Sequence, residues 1–199
     1  WNLFAAQETL TETGLEQGVN LELFHGRGGR LGRGGGPTNR AIRSQPPRSL
    51  RGGIKITEQG EVIAYRYSNR AIAQRHLQQV LHAMLLSLST DEHLQIQPAW
   101  RDAMNQLSEY GRVAYRQFVY ETDGFLDYWQ AATPINELSQ LRISSRPAKR
   151  KAQGGFAAMR AIPWMFSWMQ SRAIIPSWYG IGTAFTTFCH ETDYGLALL

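Results

Sequence analysis

Apolar side chains recur at helical spacing in two long stretches of the chain. Ala73, Leu77, Val80, Leu81, Met84, Leu85 and Leu88 form an i, i+4, i+7, i+8 stripe, and Trp100, Ala103, Met104, Leu107, Ala114 and Phe118 repeat the pattern. Both stripes are expected to face a core. Glu8 to Gly18 reads as the end of an earlier helix, with Gly18 as its stop. The period then changes to two: Val19, Leu21 and Leu23 alternate with Asn20 and Glu22, which predicts a strand reaching His25. From Gly53 to Tyr65 the pattern predicts a hairpin, with Ile54 and Ile56 on one arm and Val62 and Ile63 on the other. Leu141 to Arg146 reads as a short strand entering the basic turn Pro147–Lys151. Met159 to Phe188 is almost uncharged. Pro163, Arg172, Pro176, Gly180 and Gly182 interrupt it, leaving no clean run of the ~20 apolar residues a bilayer requires. A buried strand followed by a core helix is the expectation there.

The 199 residues, 43% of them hydrophobic and six of them tryptophan, describe a globular chain rather than a disordered one. A lone cysteine, Cys189, excludes an internal disulfide and zinc sites of the CxxC type, and fits a reducing, cytoplasmic setting. The chain opens at Trp1 with no basic and apolar leader, and it stops inside Leu196-Ala-Leu-Leu199. Both ends are expected to be cuts in a longer polypeptide.

Charge changes the picture through its placement. From Leu23 to Thr57 there are eight Lys/Arg and no acid, and from Leu138 to His190 seven Lys/Arg and no acid. Together these stretches hold fifteen of the 21 basic residues and none of the 16 acids. Such segregation suits an anion-binding surface, because interspersed carboxylates would cancel its field. A polyanion, a membrane surface or a small phosphorylated ligand can each exploit it, and a solvated basic face is the plain alternative.

The glycine-rich segment from Phe24 to Pro37 narrows the choice. Glycines after a strand let the backbone approach a ligand and turn N–H groups inward as an anion nest. Arg27, Arg30 and Arg33 add forked donors suited to phosphate and carboxylate. Neither common phosphate fingerprint fits. Gly26 and Gly28 would need glycine where Leu31 stands, Gly32 and Gly34 would need it at Pro37, and no lysine is present for a P-loop. Arg-Gly-Gly at 27, 33 and 51 is also the pattern of RNA-binding segments, and a structural glycine loop is a further reading. His25 is either a satisfied turn histidine or a donor to a bound anion. His76, His82, His93 and His190 lack metal-ligand spacing and read as structural.

Several long motifs then agree in order. Phe24-His-Gly-Arg-Gly-Gly-Arg-Leu-Gly-Arg-Gly-Gly-Gly-Pro-Thr38 resembles the FHGRGGxxGRGGGPT signature of phosphoenolpyruvate carboxylases. Ser44-Gln-Pro-Pro47 and Ile56-Thr-Glu-Gln-Gly-Glu-Val-Ile63 are similar to that family's SQPP and VTxQGEVI. Ser145-Arg-Pro-Ala-Lys-Arg150, Gly154-Gly155 and Arg160-Ala-Ile-Pro-Trp164, continued by Phe166, Trp168, Gln170 and Arg172, resemble its SRPAKR, GG and RAIPWxFxWxQxR stretch.

The resemblance implies an α/β, mostly helical fold: a fragment of a (β/α)8 TIM-type barrel with extra helices. Residues 1–199 would form part of one barrel domain, truncated at both ends. Strands near Leu21, Leu141 and Ile162 would deliver Arg27, Arg146 and Arg160 to their carboxyl ends, where such barrels place chemistry. The resemblance implies that these three arginines are catalytic. His25, Gly26, Gly28 and Gly29 would bind substrate, and Arg33 would sit on a loop linked to inhibition by aspartate or malate. The implied reaction joins phosphoenolpyruvate and bicarbonate, with Mg2+ or Mn2+, to give oxaloacetate and phosphate in a cytoplasmic homotetramer, with no nucleic acid and no membrane as partner. The family's TAHPTEA-like and YSDSxKDAG-like motifs, which carry its catalytic histidine and lysine and a metal-binding aspartate, do not occur here. The metal ligands are therefore expected outside this chain, and the chain alone is expected to be inactive. Arg30, Arg40 and Arg43 stand where the family usually has small, neutral or apolar residues.

Overall fold

The computed structural model describes residues 1–27, 36–46, 48–50, 53–89, 96–140, 161–171, 173 and 175–192. The chain divides into two compact units, Trp1–Pro98 and Ala99–Leu199. Its described residues are mostly helical, with one small parallel sheet, as a piece of an α/β protein would be.

In the first unit, α1 (Asn2–Glu16) ends before Gly18, whose φ of 69° supplies the predicted stop. The strand that follows is shorter than the alternation predicts: β1 is Phe24–Gly26, while Val19 and Leu21 lie exposed outside it. Its partner β2 (Lys55–Thr57) is equally short and pairs only Phe24 with Lys55, His25 with Ile56 and Gly26 with Thr57. The pairing is parallel, so the predicted Gly53–Tyr65 hairpin does not form. Its first arm joins β1, and its second arm becomes α3 (Gly60–Tyr67). Val62 and Ile63 favour strands locally, but within α3 Val62 gains a buried position that a two-stranded hairpin on the surface would not offer.

The helices α2 (Thr38–Arg43) and α4 (Arg70–Ser89) build the core of this unit. Ile42 and Ala83 are buried with Leu50, and Ile54, Val80 and Met84 pack against them. The stripe predicted on α4 therefore splits. Positions 80, 83 and 84 face α2, whereas Leu77, Leu81, Leu85 and Leu88 remain more than half exposed. A leucine ridge of this length, exposed among the described residues, is suited to association. The chain on its own is expected to self-associate, and Leu81→Glu with Leu85→Glu to raise the monomer fraction in size-exclusion chromatography. Because neither side chain is in the core, the unfolding free energy should change by no more than about 1 kcal/mol.

In the second unit, α5 (Pro98–Tyr120) carries the predicted second stripe, but only its carboxyl end enters a core. Val119 packs with Phe125 and Trp129 of α6 (Phe125–Ala132), Ile135 of α7 (Ile135–Gln140) and Trp168 of α8 (Ala161–Gln170). Trp100 and Met104, earlier on the stripe, are 43% and 40% exposed.

The apolar segment around Ile162, expected as a barrel strand, is helix α8. Pro163 stands in its first turn and Pro176 in the first turn of α9 (Ile175–Trp178), where the missing N–H costs nothing. Prolines that look like interruptions in the sequence are helix starts. Gly180, with φ of 92°, opens α10 (Ile181–Glu191), and a Cβ there would lie 2.7 Å from the Gly111 carbonyl oxygen. The strand expected at Leu141–Arg146 lies outside the described residues.

Candidate functional site

The carboxyl ends of β1 and β2 lie side by side, and the chain continues the ladder one step further: the Arg27 N–H donates to the Thr57 carbonyl at 3.0 Å. This fixes the backbone from which the Arg27 side chain departs. His25, on β1 rather than in a turn, is opposite Ile56 and half-buried. Arg27 Nη2 reaches the Gly36 carbonyl at 3.4 Å, so the residue preceding the glycine loop touches the residue that closes it. Gly36 adopts φ of 106°, a conformation that favours glycine and sets the direction of that carbonyl.

A second guanidinium meets the first. Arg66, in the last turn of α3, donates through Nη2 to the same Gly36 carbonyl at 3.3 Å and through Nη1 to Thr38 Oγ1 at 3.0 Å. Its Nη1 also donates to Glu58 Oε1, which leaves β2 at the adjacent strand end. Tyr67 lies in the field of the Glu58 carboxylate and stacks edge-on against His76. Gly36, Thr38, Asn39, Arg66, Arg75 and His76 line a cleft of roughly 840 Å³.

The electrostatics follow from burial in cationic surroundings. Burial, then Arg66, lower the pKa of Arg27, and Glu58 partly opposes them. Burial and the Glu58 carboxylate raise that of Tyr67, keeping the phenol protonated. His25 lies below its ordinary 6.5 because of burial first and Arg27 second. For His76 the causes are burial, then Arg66, with Glu58 again opposing. A depressed histidine pKa means that the unfolded chain binds more protons just below pH 6.5, so stability rises with pH in that window. Acidification from pH 7 to 5.5 is therefore expected to lower the denaturant midpoint of the chain. The combined His25→Gln and His76→Gln variant should flatten that slope, and an unchanged slope would refute the assignment.

The model of the family described as phosphoenolpyruvate carboxylase matches residues 1–199. The chain is 47% identical over 195 residues to the phosphoenolpyruvate carboxylase of Roseiflexus castenholzii, covering 97% of this chain and 20% of that protein. It is 47% identical over 196 residues to that of Nostoc sp., covering 96% and 19%, and 46% identical over 187 residues to that of Hahella chejuensis, covering 94% and 21%. The chain belongs to the phosphoenolpyruvate carboxylase family. It spans about a fifth of the length of these relatives.

Of the residues singled out by resemblance to phosphoenolpyruvate carboxylases, His25, Gly26 and Arg27 come together at one strand end. Gly28, Gly29, Arg33, Arg146 and Arg160 lie outside the described residues. Sequence reasoning missed Glu58, Arg66 and the Gly36 carbonyl as members of the cluster. The Mg2+ or Mn2+ implied by the family needs several hard oxygen donors. The donors here are two guanidiniums, an imidazole and one carboxylate already ion-paired with Arg66, a set that does not fit a divalent cation. Among the described residues no group of three His, Cys, Asp or Glu comes together. No helix of the described residues is long and apolar enough to cross a membrane.

Proposed function

We propose that the polypeptide to which this chain belongs carboxylates phosphoenolpyruvate with bicarbonate, and that this chain supplies anion-holding groups of its active site. The observation that carries the reading is the pairing of His25 with the cationic Arg27 at the ends of two parallel strands, inside a family match running over all 199 residues. The parallel pair supports placing the chain in a (β/α)8 barrel, whose chemistry sits at the carboxyl ends of its strands.

In the proposed reaction a bicarbonate oxygen attacks the phosphoryl group, and the bond from phosphorus to the enol oxygen breaks. The products are carboxyphosphate and pyruvate enolate. Carboxyphosphate gives phosphate and CO2, the bicarbonate proton passing to phosphate, and the enolate carbon attacks CO2 to form oxaloacetate. Every species except CO2 is anionic, so fixed cations stabilise charge along most of the path. Arg27 holds a phosphate, carboxylate or enolate oxygen, and His25, neutral near pH 7, donates one hydrogen bond without adding charge. By resemblance Arg146 and Arg160 have the same kind of role, Gly26, Gly28 and Gly29 bring backbone close to substrate, and Arg33 links the loop to inhibition by aspartate or malate. The divalent metal belongs to segments outside this chain, as do the catalytic histidine and lysine. A cytoplasmic homotetramer is part of the same proposal. The Arg-Gly-Gly occurrences at 27, 33 and 51 fall inside the matched family segment, and no observation favours the RNA reading. Phosphate release from phosphoenolpyruvate by the full-length polypeptide, measured with and without bicarbonate, tests the reading. Strict bicarbonate dependence is expected, and release that ignores bicarbonate would overturn it.

A further inference from the structure

Arg66 is the group whose contacts exceed what the helix it belongs to requires. Its side chain is 20% exposed and that of its partner Glu58 12%, so this is an ion pair largely withdrawn from water. The guanidinium forks: one side serves Glu58 and Thr38 Oγ1, the other the Gly36 carbonyl at 3.3 Å. That carbonyl already accepts from Arg27 at 3.4 Å. A carbonyl oxygen has two lone pairs and can serve both donors. Two guanidiniums converging on it also repel, and Glu58 supplies a negative charge that offsets this.

We infer that Arg66, locked by Glu58, is a positioning residue that sets the Arg27 guanidinium for its anion through the shared Gly36 carbonyl. Three acceptors on two segments pin Arg66: Glu58 after β2, and Gly36 and Thr38 at the entry to α2, Thr38 itself only 3% exposed. With Arg66 fixed, Gly36 is held in place and the space open to Arg27 is limited on one side by a like charge. Lysine at 66 would keep the charge but could not hold these acceptors together, because its ammonium lacks the planar fork. The inference rests on the carboxylase reading for what Arg27 holds.

The test uses the full-length polypeptide and steady-state phosphate release. If the unsubstituted protein shows no bicarbonate-dependent release, the carboxylase reading falls and this inference falls with it. Given turnover, Arg66→Lys is expected to lower kcat/KM for phosphoenolpyruvate by about 10–100-fold, the size of effect a small misplacement of a catalytic group produces. The thermal midpoint should stay unchanged. The deciding measurement is the cycle with Arg27→Lys. A residue that acts through Arg27 adds no further loss in the Arg27→Lys background, whereas general loosening of the site multiplies the two losses. Full activity in Arg66→Lys, or multiplied losses in the double variant, would overturn the inference and leave the carboxylase reading standing. Should Arg66→Lys fail to fold, Glu58→Gln replaces it: the amide oxygen still accepts from Arg66 but the offsetting charge is gone. The same lack of additivity with Arg27→Lys is expected there, and multiplied losses would again refute the role.

Discussion

Replacing Arg27 by alanine in the full-length polypeptide is expected to lower kcat/KM for bicarbonate-dependent phosphate release by about 10²–10³-fold, the effect of deleting one preorganised oxyanion donor. The backbone should not register the change. The residue-27 N–H still donates to the Thr57 carbonyl, and Gly36 keeps Arg66 as a donor. The energetics of folding and of catalysis pull in opposite directions at this position. Arg27 is desolvated beside a second guanidinium, so its removal relieves a repulsion, and denaturant midpoints should hold steady or rise. Arg27→Lys restores a charge without the fork and should recover only part of the lost activity. Loss of activity together with loss of stability would point to a structural role, and unchanged kcat/KM would remove Arg27 from the catalytic groups.

What the sequence made legible follows the range of the interactions concerned. The helices α4 and α5 are repeats of local spacing, and both lie where the apolar stripes predict them. Gly18 was equally readable, because a left-handed stop is a property of one residue. The hairpin failed because β2 pairs with β1, a partner that no turn signal between residues 53 and 65 announces. The segment around Ile162 differs for another reason: an almost uncharged run carries no period that tells a buried strand from a buried helix, and Pro163 fits the first turn of α8. The stripe on α4 was correctly found, yet only part of it is covered within this chain, since periodicity reports a face and not what lies against it. At the site, Arg27 and His25 could be named because they sit in a distinctive contiguous motif. Arg66 could not. It belongs to an ordinary amphipathic turn, and its meaning comes from Gly36, Thr38 and Glu58, which reach it only through the fold.

The second unit offers the largest expected effect on stability. Trp129 is 2% exposed, donates from Nε1 to Ser167 Oγ at 2.8 Å, and meets the Trp164 ring edge-on with centroids 5.2 Å apart. Ser167, fully buried, donates its own hydrogen bond to the Trp164 carbonyl at 2.9 Å. Trp129→Ala therefore removes a large core side chain and one polar partner together, and is expected to cost about 3–5 kcal/mol in urea denaturation. Trp129→Phe separates the two contributions. Most of the apolar volume stays, while Ser167 loses the donor to its oxygen, for an expected cost of about 1–3 kcal/mol. Adding Ser167→Ala to Trp129→Phe removes the hydroxyl whose oxygen has lost its donor, at the cost of its bond to the Trp164 carbonyl, and should recover part of that loss. If the double variant is instead less stable by the sum of the single effects, the hydrogen bond is not what couples these residues, and packing alone accounts for the site. The distinction bears on the proposed site as well. Trp164, Ser167 and Trp168 all lie on α8, which starts one residue after Arg160, so this buried network anchors the helix adjoining a proposed anion-holding arginine.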